Sequence, residues 1–212
     1  MNYDVVIPMR NGVKFIGQAL NSVIDQTLRP SKIIVVNDHS VDGGDEFVIR
    51  NFPQVILVES TYEGQANALN LGLSFSSNRF ISFLDADDIW SPNKQELQIN
   101  FLEKYPKMEY VTSGVRNFQF VDENAGGYRD FSDSRVLGAC TFKREVFTKW
   151  GLFNTEEYSK VFIYEFYSRI KELPKISTNS IELFRRIHQN NAWIYERAEL
   201  SSALLCFLRE NR

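Results

Sequence analysis

Four short apolar runs constrain the fold of this chain more than any other feature. Val5-Val6-Ile7, Ile33-Ile34-Val35-Val36, Val55-Ile56-Leu57-Val58 and Phe80-Ile81-Ser82-Phe83-Leu84 each span three to five residues. Continuous runs of that length read as strands, the first buried on both faces and the fourth buried in the core. Between them lie stretches with helical spacing. Phe15, Ile16, Ala19, Leu20, Val23 and Ile24 predict a first helix; Glu46 to Arg50 lies in a second; Ala66, Leu69, Leu71, Leu73 and Phe75 suit a third. Each link is long enough for a helical crossover, so the order β-α-β-α-β-α-β predicts a parallel sheet wrapped by helices. On such a sheet the loops after the strands share one edge, where ligands bind. Asn11, Asp38, Glu63 and Asp85 to Asp88 are therefore predicted to converge.

The fourth run ends in chemistry. Arg79 to Trp90 reads RFISFLDADDIW, a strand that stops in three carboxylates, Asp85, Asp87 and Asp88. An unpaired buried carboxylate is costly, so the acids must lie at the strand end, facing water, a cation or each other. Asp85 and Asp87 are two apart and point the same way in an extended chain. A pair of hard oxygen ligands suits Mg²⁺ or Mn²⁺. The competing reading is a capping turn, with Asp88 and Ser91-Pro92 opening the next helix; three acids are more than a cap needs.

Past Pro92 the spacing predicts a helix to about Tyr105, with Leu97, Phe101 and Leu102 on one face. Strands are then expected at Glu109–Thr112 and Val115–Val121, and an exposed loop over Asp122–Asp133, which contains Gly126-Gly127. Val136–Phe142 is a further apolar segment. A short helix over Lys143–Trp150 ends at Gly151, and a longer one is expected over Glu156–Lys171. Ile181–Ile187 reads as a strand and Ala192–Leu208 as a terminal helix. No repeat, low-complexity tract or linker interrupts the chain, so the second half is expected to complete the same domain.

Bulk properties remove some functions. The net charge of −3 offers no basic field for a polyanion, so no nucleic acid is expected as a partner. The 17 Phe and 9 Tyr either fill the core or line a groove for a flat ligand. Cys140 and Cys206 lack any metal-binding spacing; reduced thiols are the simpler reading, with a single disulfide left open. The N-terminus enters a strand at once, so no signal peptide is expected, and no run of about 18 apolar residues predicts a spanning helix. A cytoplasmic location is expected, with work at the inner face of a membrane left open.

The segments VVIPMRN, SVIDQT, KIIVVNDHSVDG, GQANALNLGL and FLDADD occur in that order, and GACTFKREVFTKWGLF follows. The set resembles the family 2 glycosyltransferases, which have the GT-A fold: a Rossmann-like α/β domain with a mostly parallel sheet and helices on both faces. The resemblance implies one domain over residues 1–212. Residues 1–105 would be the nucleotide-sugar-binding half, and 106–212 the acceptor-side half with its C-terminal helix. It implies inverting transfer of a sugar from a UDP- or dTDP-type donor to a hydroxyl, with a glycan or lipid-linked acceptor in surface polysaccharide synthesis.

Residue by residue, the resemblance gives Asp38 the base of the nucleotide, and Pro8 and Asn11 the loop that holds it. Asp85 would lie near the ribose. Asp87 would bind a divalent cation that bridges the phosphates and offsets charge on the leaving diphosphate. Asp88 would lie on the acceptor or donor-sugar side, as a candidate catalytic group. Met9 and Arg10 stand where the family often has Thr and Tyr; Arg10 stacks on a base, meets a phosphate, or stays a solvated loop charge. An Arg that binds the donor in some relatives is matched by Leu69, which leaves Lys14, Arg79 and Lys94 as candidates for positive charge.

The family's catalytic base is the Asp of a Glu-Asp pair on a late helix. The matching stretch here runs from Phe162 to Arg169; Arg169 aligns, and Ile163 holds the Asp position. General-base work needs a carboxylate within hydrogen-bond reach. Glu165 is the nearest, about 200° further round the helix, and competes with a surface or salt-bridged role. Glu156 and Glu157 are the other candidates. If none serves, the chain is a relative that binds nucleotide-sugar without turning it over. In RRIHQNN, His188 is either a further metal ligand or diphosphate contact or a structural residue, and Arg185 and Arg186 are candidate phosphate contacts. His39 reads as a turn residue. The terminal helix is open to core packing, dimerisation or peripheral membrane contact, of which core packing fits its composition best.

Overall fold

The computed structural model of the chain describes residues 1–118, 129–131, 136–188 and 197–210. The four apolar runs form β1 (Tyr3–Met9), β2 (Lys32–Asn37), β3 (Ile56–Glu59) and β4 (Phe80–Phe83). Helices α1 (Ile16–Ile24), α2 (Gly44–Asn51) and α3 (Gln65–Phe75) connect them. β1 pairs in parallel with both β2 and β4, and β2 with β3. The predicted parallel sheet is therefore present.

The second half extends this sheet. Its elements are β5 (Ile89–Trp90), α4 (Lys94–Lys104), β6 (Tyr110–Phe118), β7 (Arg129–Phe131), a 3₁₀ turn (Leu137–Ala139), β8 (Thr141–Lys143), α5 (Glu145–Trp150), α6 (Phe162–Arg169), β9 (Lys175–Arg186) and α7 (Arg197–Glu210). The strand order is β3-β2-β1-β4-β8-β6-β9-β5, with β7 on the side of β6. β8 is antiparallel to β4 and β6, whereas β9 runs parallel to β6, so most strands point one way.

Side-chain alternation splits the core into two layers. Val5, Ile7 and Met9 of β1 face α1, α2 and α4 through Leu20, Val23, Val48, Ile99 and Leu102. Val6 of the same strand faces α3, α5 and α6 through Leu69, Leu73, Phe147 and Phe166. Helices thus cover both faces. The second layer is aromatic: Phe83, Phe142, Phe147, Phe153 and Phe166 meet at centroid distances of 4.9–6.2 Å. Much of the aromatic content is therefore core. Gly72 lets α3 lie directly on β1, because a Cβ there would overlap Val6 Cγ1.

Several elements depart from the sequence reading. The two strands expected between Glu109 and Val121 are one strand, β6, with register shifts between Thr112 and Val115 that interrupt its alternation. Its expected end, residues 119–121, lies outside the described residues, as does most of the expected loop. β9 begins at Lys175, six residues earlier than expected, since Ser177, Asn179 and Ser180 give its first half no apolar pattern. The helix expected from Glu156 begins only at Phe162. Before it, Asn154 Oδ1 accepts the backbone N–H groups of Glu156 and Tyr158 and holds a turn instead. The terminal helix is described from Arg197; residues 192–196 of the expected helix lie outside the described residues. Phe207 of α7 is buried against Tyr158, at 5.2 Å between centroids.

Candidate functional site

The loops at the C-terminal ends of β1 to β4 meet as the parallel order requires. The loop after β1 grips the loop after β2: the Asn11 N–H donates to Ser40 Oγ at 2.9 Å, and the Val41 N–H donates to Asn11 Oδ1 at 2.9 Å. Asn11 and His39 have φ of 50° and 58°, a left-handed conformation in which Asn and His are enriched. The Asp38 carboxylate is nearly buried and accepts the Gly64 N–H through both oxygens, at 3.0 and 3.1 Å. Gly64, at φ 114°, supplies a backbone that L residues rarely adopt just where α3 begins. Asp38 thereby ties the second loop to the third.

Arg10 spans the same mouth. Its guanidinium pairs with Glu63 and lies 3.9 Å from Asp38 Oδ2. Pro8 is buried inside β1, opposite Val36 of β2. It shapes the strand that delivers Arg10 and Asn11 to the edge.

Gln65, at the start of α3, donates to Asp85 Oδ1 at 2.9 Å and carries the ring of contacts to the acid turn. A Cβ on Gly12 would lie 3.4 Å from that of Ala86, so the first loop also touches the turn. Three acids there strain one another. Burial, then the charge of Asp87, pushes the Asp85 carboxyl up to about 6, against a pull from Arg185 and Gln65. Burial, then Asp87 and Asp85, raises Asp88 well above the usual carboxylate range, despite the Arg186 N–H and Arg185. Added positive charge would relieve this turn.

Asp87 points to a partner from the far end of the chain. His188 Nε2 lies 2.9 Å from Asp87 Oδ2, both side chains being about one-fifth to one-quarter exposed. Adjacent ligands of an octahedral Mg²⁺ or Mn²⁺ at about 2.1 Å lie about 3 Å apart, so this pair fits one edge of such a shell. Among the described residues no set of three or more His, Cys, Asp or Glu side chains is arranged to hold a metal ion. The remaining positions would fall to water and to the phosphates of a bound diphosphate, the usual arrangement for Mg²⁺ with substrate phosphates.

Two other expected site residues, Asp88 and Glu165, are held by partners within the fold. Asp88 is buried, with Oδ1 accepting the Arg186 N–H at 2.8 Å. Glu165 is buried on α6, and Arg169 holds both its oxygens, at 2.6 and 3.0 Å. Arg169 in turn donates to the carbonyls of Trp150 and Leu152. Ile163 packs against the aromatic layer, while Glu156 and Glu157 are exposed in the turn before α6. Leu69, at the position of the relatives' Arg, is buried; of the candidate cations, Lys94 is buried, Arg79 pairs with Glu103 and Lys14 is exposed. Sequence reasoning missed Gln65, Phe15 and Gln18 as participants. Phe15 and Gln18 are three apart, so the helical spacing that places two side chains on one face was a usable signal.

The comparison with known families decides what this edge belongs to. Residues 4–171 match the family model Glycosyl transferase family 2. The chain belongs to the family 2 glycosyltransferases. The *Escherichia coli* UDP-Glc:alpha-D-GlcNAc-diphosphoundecaprenol beta-1,3-glucosyltransferase WfgD is 32% identical over 125 residues, 58% of this chain and 47% of that relative. The chain spans less than half the length of the curated relatives it matches. *S. aureus* TarS 1–349 in complex with UDP superposes with a TM-score of 0.72 at 15% identity, over 97% of this chain and 66% of TarS 1–349. Mannosyltransferase PcManGT from *Pyrobaculum calidifontis*, in complex with GDP-Man and Mn²⁺, gives 0.69 at 19% identity, over 98% and 64%. This glycosyltransferase therefore has the GT-A fold.

Proposed function

We propose that this glycosyltransferase moves a sugar from a UDP- or dTDP-type donor to an acceptor hydroxyl, with inversion and with a divalent cation held by Asp87 and His188. The observation that carries the reading is the Asp87–His188 pair beside the Asp38 and Asn11 loops. Asp38, fixed by Gly64, presents a carboxylate to an N–H of the base. Arg10 and Asn11 flank that position, and Pro8 sets the strand before it. Asp85 accepts a ribose hydroxyl while Gln65 holds it from the other side. Bound Mg²⁺ or Mn²⁺ would offset charge on the departing diphosphate. Residues 1–105 carry most of these donor contacts, and residues 106–212 form the acceptor side and supply His188.

The similar proteins support the donor and acceptor classes. TarS binds UDP and WfgD is a UDP-Glc:alpha-D-GlcNAc-diphosphoundecaprenol glucosyltransferase, while PcManGT holds GDP-Man with Mn²⁺, which supports the cation rather than the base. We further propose a glycan or lipid-linked acceptor in surface polysaccharide synthesis and a cytoplasmic location, with work at the membrane's inner face left open. No described helix is long and apolar enough to cross a membrane.

Calorimetry with UDP and Mn²⁺ tests the donor site. Absence of binding by the wild type across UDP, dTDP and GDP, with and without Mn²⁺, would sink the proposal. A second reading, nucleotide-sugar binding without turnover, is favoured by Ile163 at the base position and by the Arg169 grip on Glu165. Under the first reading Glu156 or Glu157 in the turn before α6 activates the acceptor. Donor hydrolysis and transfer assays on wild type, Glu156→Gln and Glu157→Gln separate the two readings: turnover lost in either variant favours the first, and absence of turnover in the wild type favours the second.

A further inference from the structure

Arg186 is the residue on which the two halves of the metal-binding edge meet. Its guanidinium lies between two rings, 4.9 Å from the centroid of Phe15 and 4.7 Å from that of Phe118. Held there, its Nε donates to the Asp87 backbone carbonyl at 2.9 Å and its Nη2 to Gln18 Oε1 at 2.6 Å. Its own backbone N–H donates to Asp88 Oδ1 at 2.8 Å. One residue thus takes hold of the acid turn at two consecutive positions, through its side chain and its main chain. Two residues on, the His188 ring packs on the same Phe15 at 4.7 Å and its Nε2 meets Asp87 Oδ2. Phe15 is a shelf shared by Arg186 and His188, and Gln18, one helical turn on, braces the guanidinium.

We propose that Arg186, seated on Phe15 and braced by Gln18 and Asp88, is a positioning residue that sets His188 against Asp87 before any ligand arrives. The reasoning is geometric. Asp87 and His188 sit on different loops, more than a hundred residues apart, and either loop alone leaves its ligand unregistered. A planar, multiply donating guanidinium stacked on aromatic rings fixes both at once, a task a lysine ammonium cannot copy. Asp88 is then a tether for the turn. The inference rests on the proposed role of Asp87 and His188 toward a divalent cation, but its first readout does not.

The test uses the metal-free protein and then the UDP complex. The sequence contains two histidines, His39 and His188, so imidazole nitrogen resonances in a His39→Gln background report His188 alone. In the parent, the Asp87 contact selects one tautomer and the Phe15 ring shifts the signals. Arg186→Met, Arg186→Lys and Gln18→Ala are expected to mix the tautomers and move those shifts towards solvent-exposed values. Gln18 is exposed, so Gln18→Ala keeps the test open if Arg186→Met fails to fold. In calorimetry, the ratio of UDP affinity with Mn²⁺ to that with chelator is expected to fall about tenfold or more in Arg186→Met, the scale seen when supports of metal ligands are lost. Metal-free UDP affinity, which depends on Asp38 and Asn11, stays at the parent value. Unchanged His188 resonances and an unchanged Mn²⁺ ratio in folded Arg186→Met and Gln18→Ala would overturn the positioning role. Perturbed His188 resonances with no Mn²⁺-dependent UDP binding by the parent would overturn the donor-site reading and leave the role of Arg186 standing.

Discussion

His188 Nε2 and Asp87 Oδ2 lie 2.9 Å apart across a separation of 101 residues. Asp87→Ala is expected to abolish the Mn²⁺-dependent part of UDP binding. His188→Ala is expected to weaken it by at least about tenfold. Titrating Mn²⁺ into the UDP-bound protein checks both; a His188→Ala affinity equal to wild type would remove His188 from the metal site.

The tie of Asp38 to Gly64 and its proposed contact with the base can be separated by substitution. Asp38→Asn keeps an oxygen for the Gly64 N–H but replaces a carboxylate with an amide at the base. UDP affinity is expected to drop about tenfold, the value of one charge-assisted hydrogen bond, with little change in melting temperature. Asp38→Ala also orphans the Gly64 N–H and is expected to cost about 1–3 kcal/mol in urea unfolding.

Glu165 offers a direct reading of structure against chemistry. Its two oxygens receive a forked pair of hydrogen bonds from Arg169, which fastens α6 to the segment at Trp150–Leu152. Glu165→Gln is expected to destabilise the fold by about 1–3 kcal/mol and to leave UDP affinity unchanged. A normal melting curve combined with a turnover loss of about a hundredfold would instead mark Glu165 as the base.

Gly72→Ala places a methyl group against Val6 in the layer beneath α3. The helix must lift from β1, at an expected cost of about 1–3 kcal/mol. Equilibrium unfolding measures it, and stability at or above wild type would contradict the close approach.

Lys94 is fully buried, with its ammonium 3.2 Å from Gln98 Oε1 and over the Trp90 ring. Burial lowers its pKa to about 8 from 10.5, against the pull of Glu182. Between those values the unfolded chain binds more protons than the folded one, so this group makes stability rise with pH. The rise in melting temperature from pH 7.5 to 9.5 is therefore expected to be smaller in Lys94→Met than in wild type. Equal slopes would show that Lys94 titrates normally.

What the sequence determined by itself is local and periodic. Four apolar runs separated by helix-spaced residues give the parallel order, and that order brings Asn11, Asp38 and the acid turn to one edge, because strand polarity fixes which loops share an end. The acids of FLDADD stop at that edge because unpaired charge resists burial, and Asp88 is buried only with the Arg186 N–H donating to it. The tertiary structure alone decided the rest. β5 is two residues long and exists because Ile89 and Trp90 find Phe184 and Leu183 of β9; no local pattern marks so short a strand. The roles of Glu165 and Asp88 were equally hidden, since a carboxylate's partner lies in space and not in its neighbours. That His188 meets Asp87 depended on where β9 ends relative to β4. Arg186, wedged between Phe15 and Phe118, brings that end to Asp87, a contact that forms only when segments distant in the chain pack together.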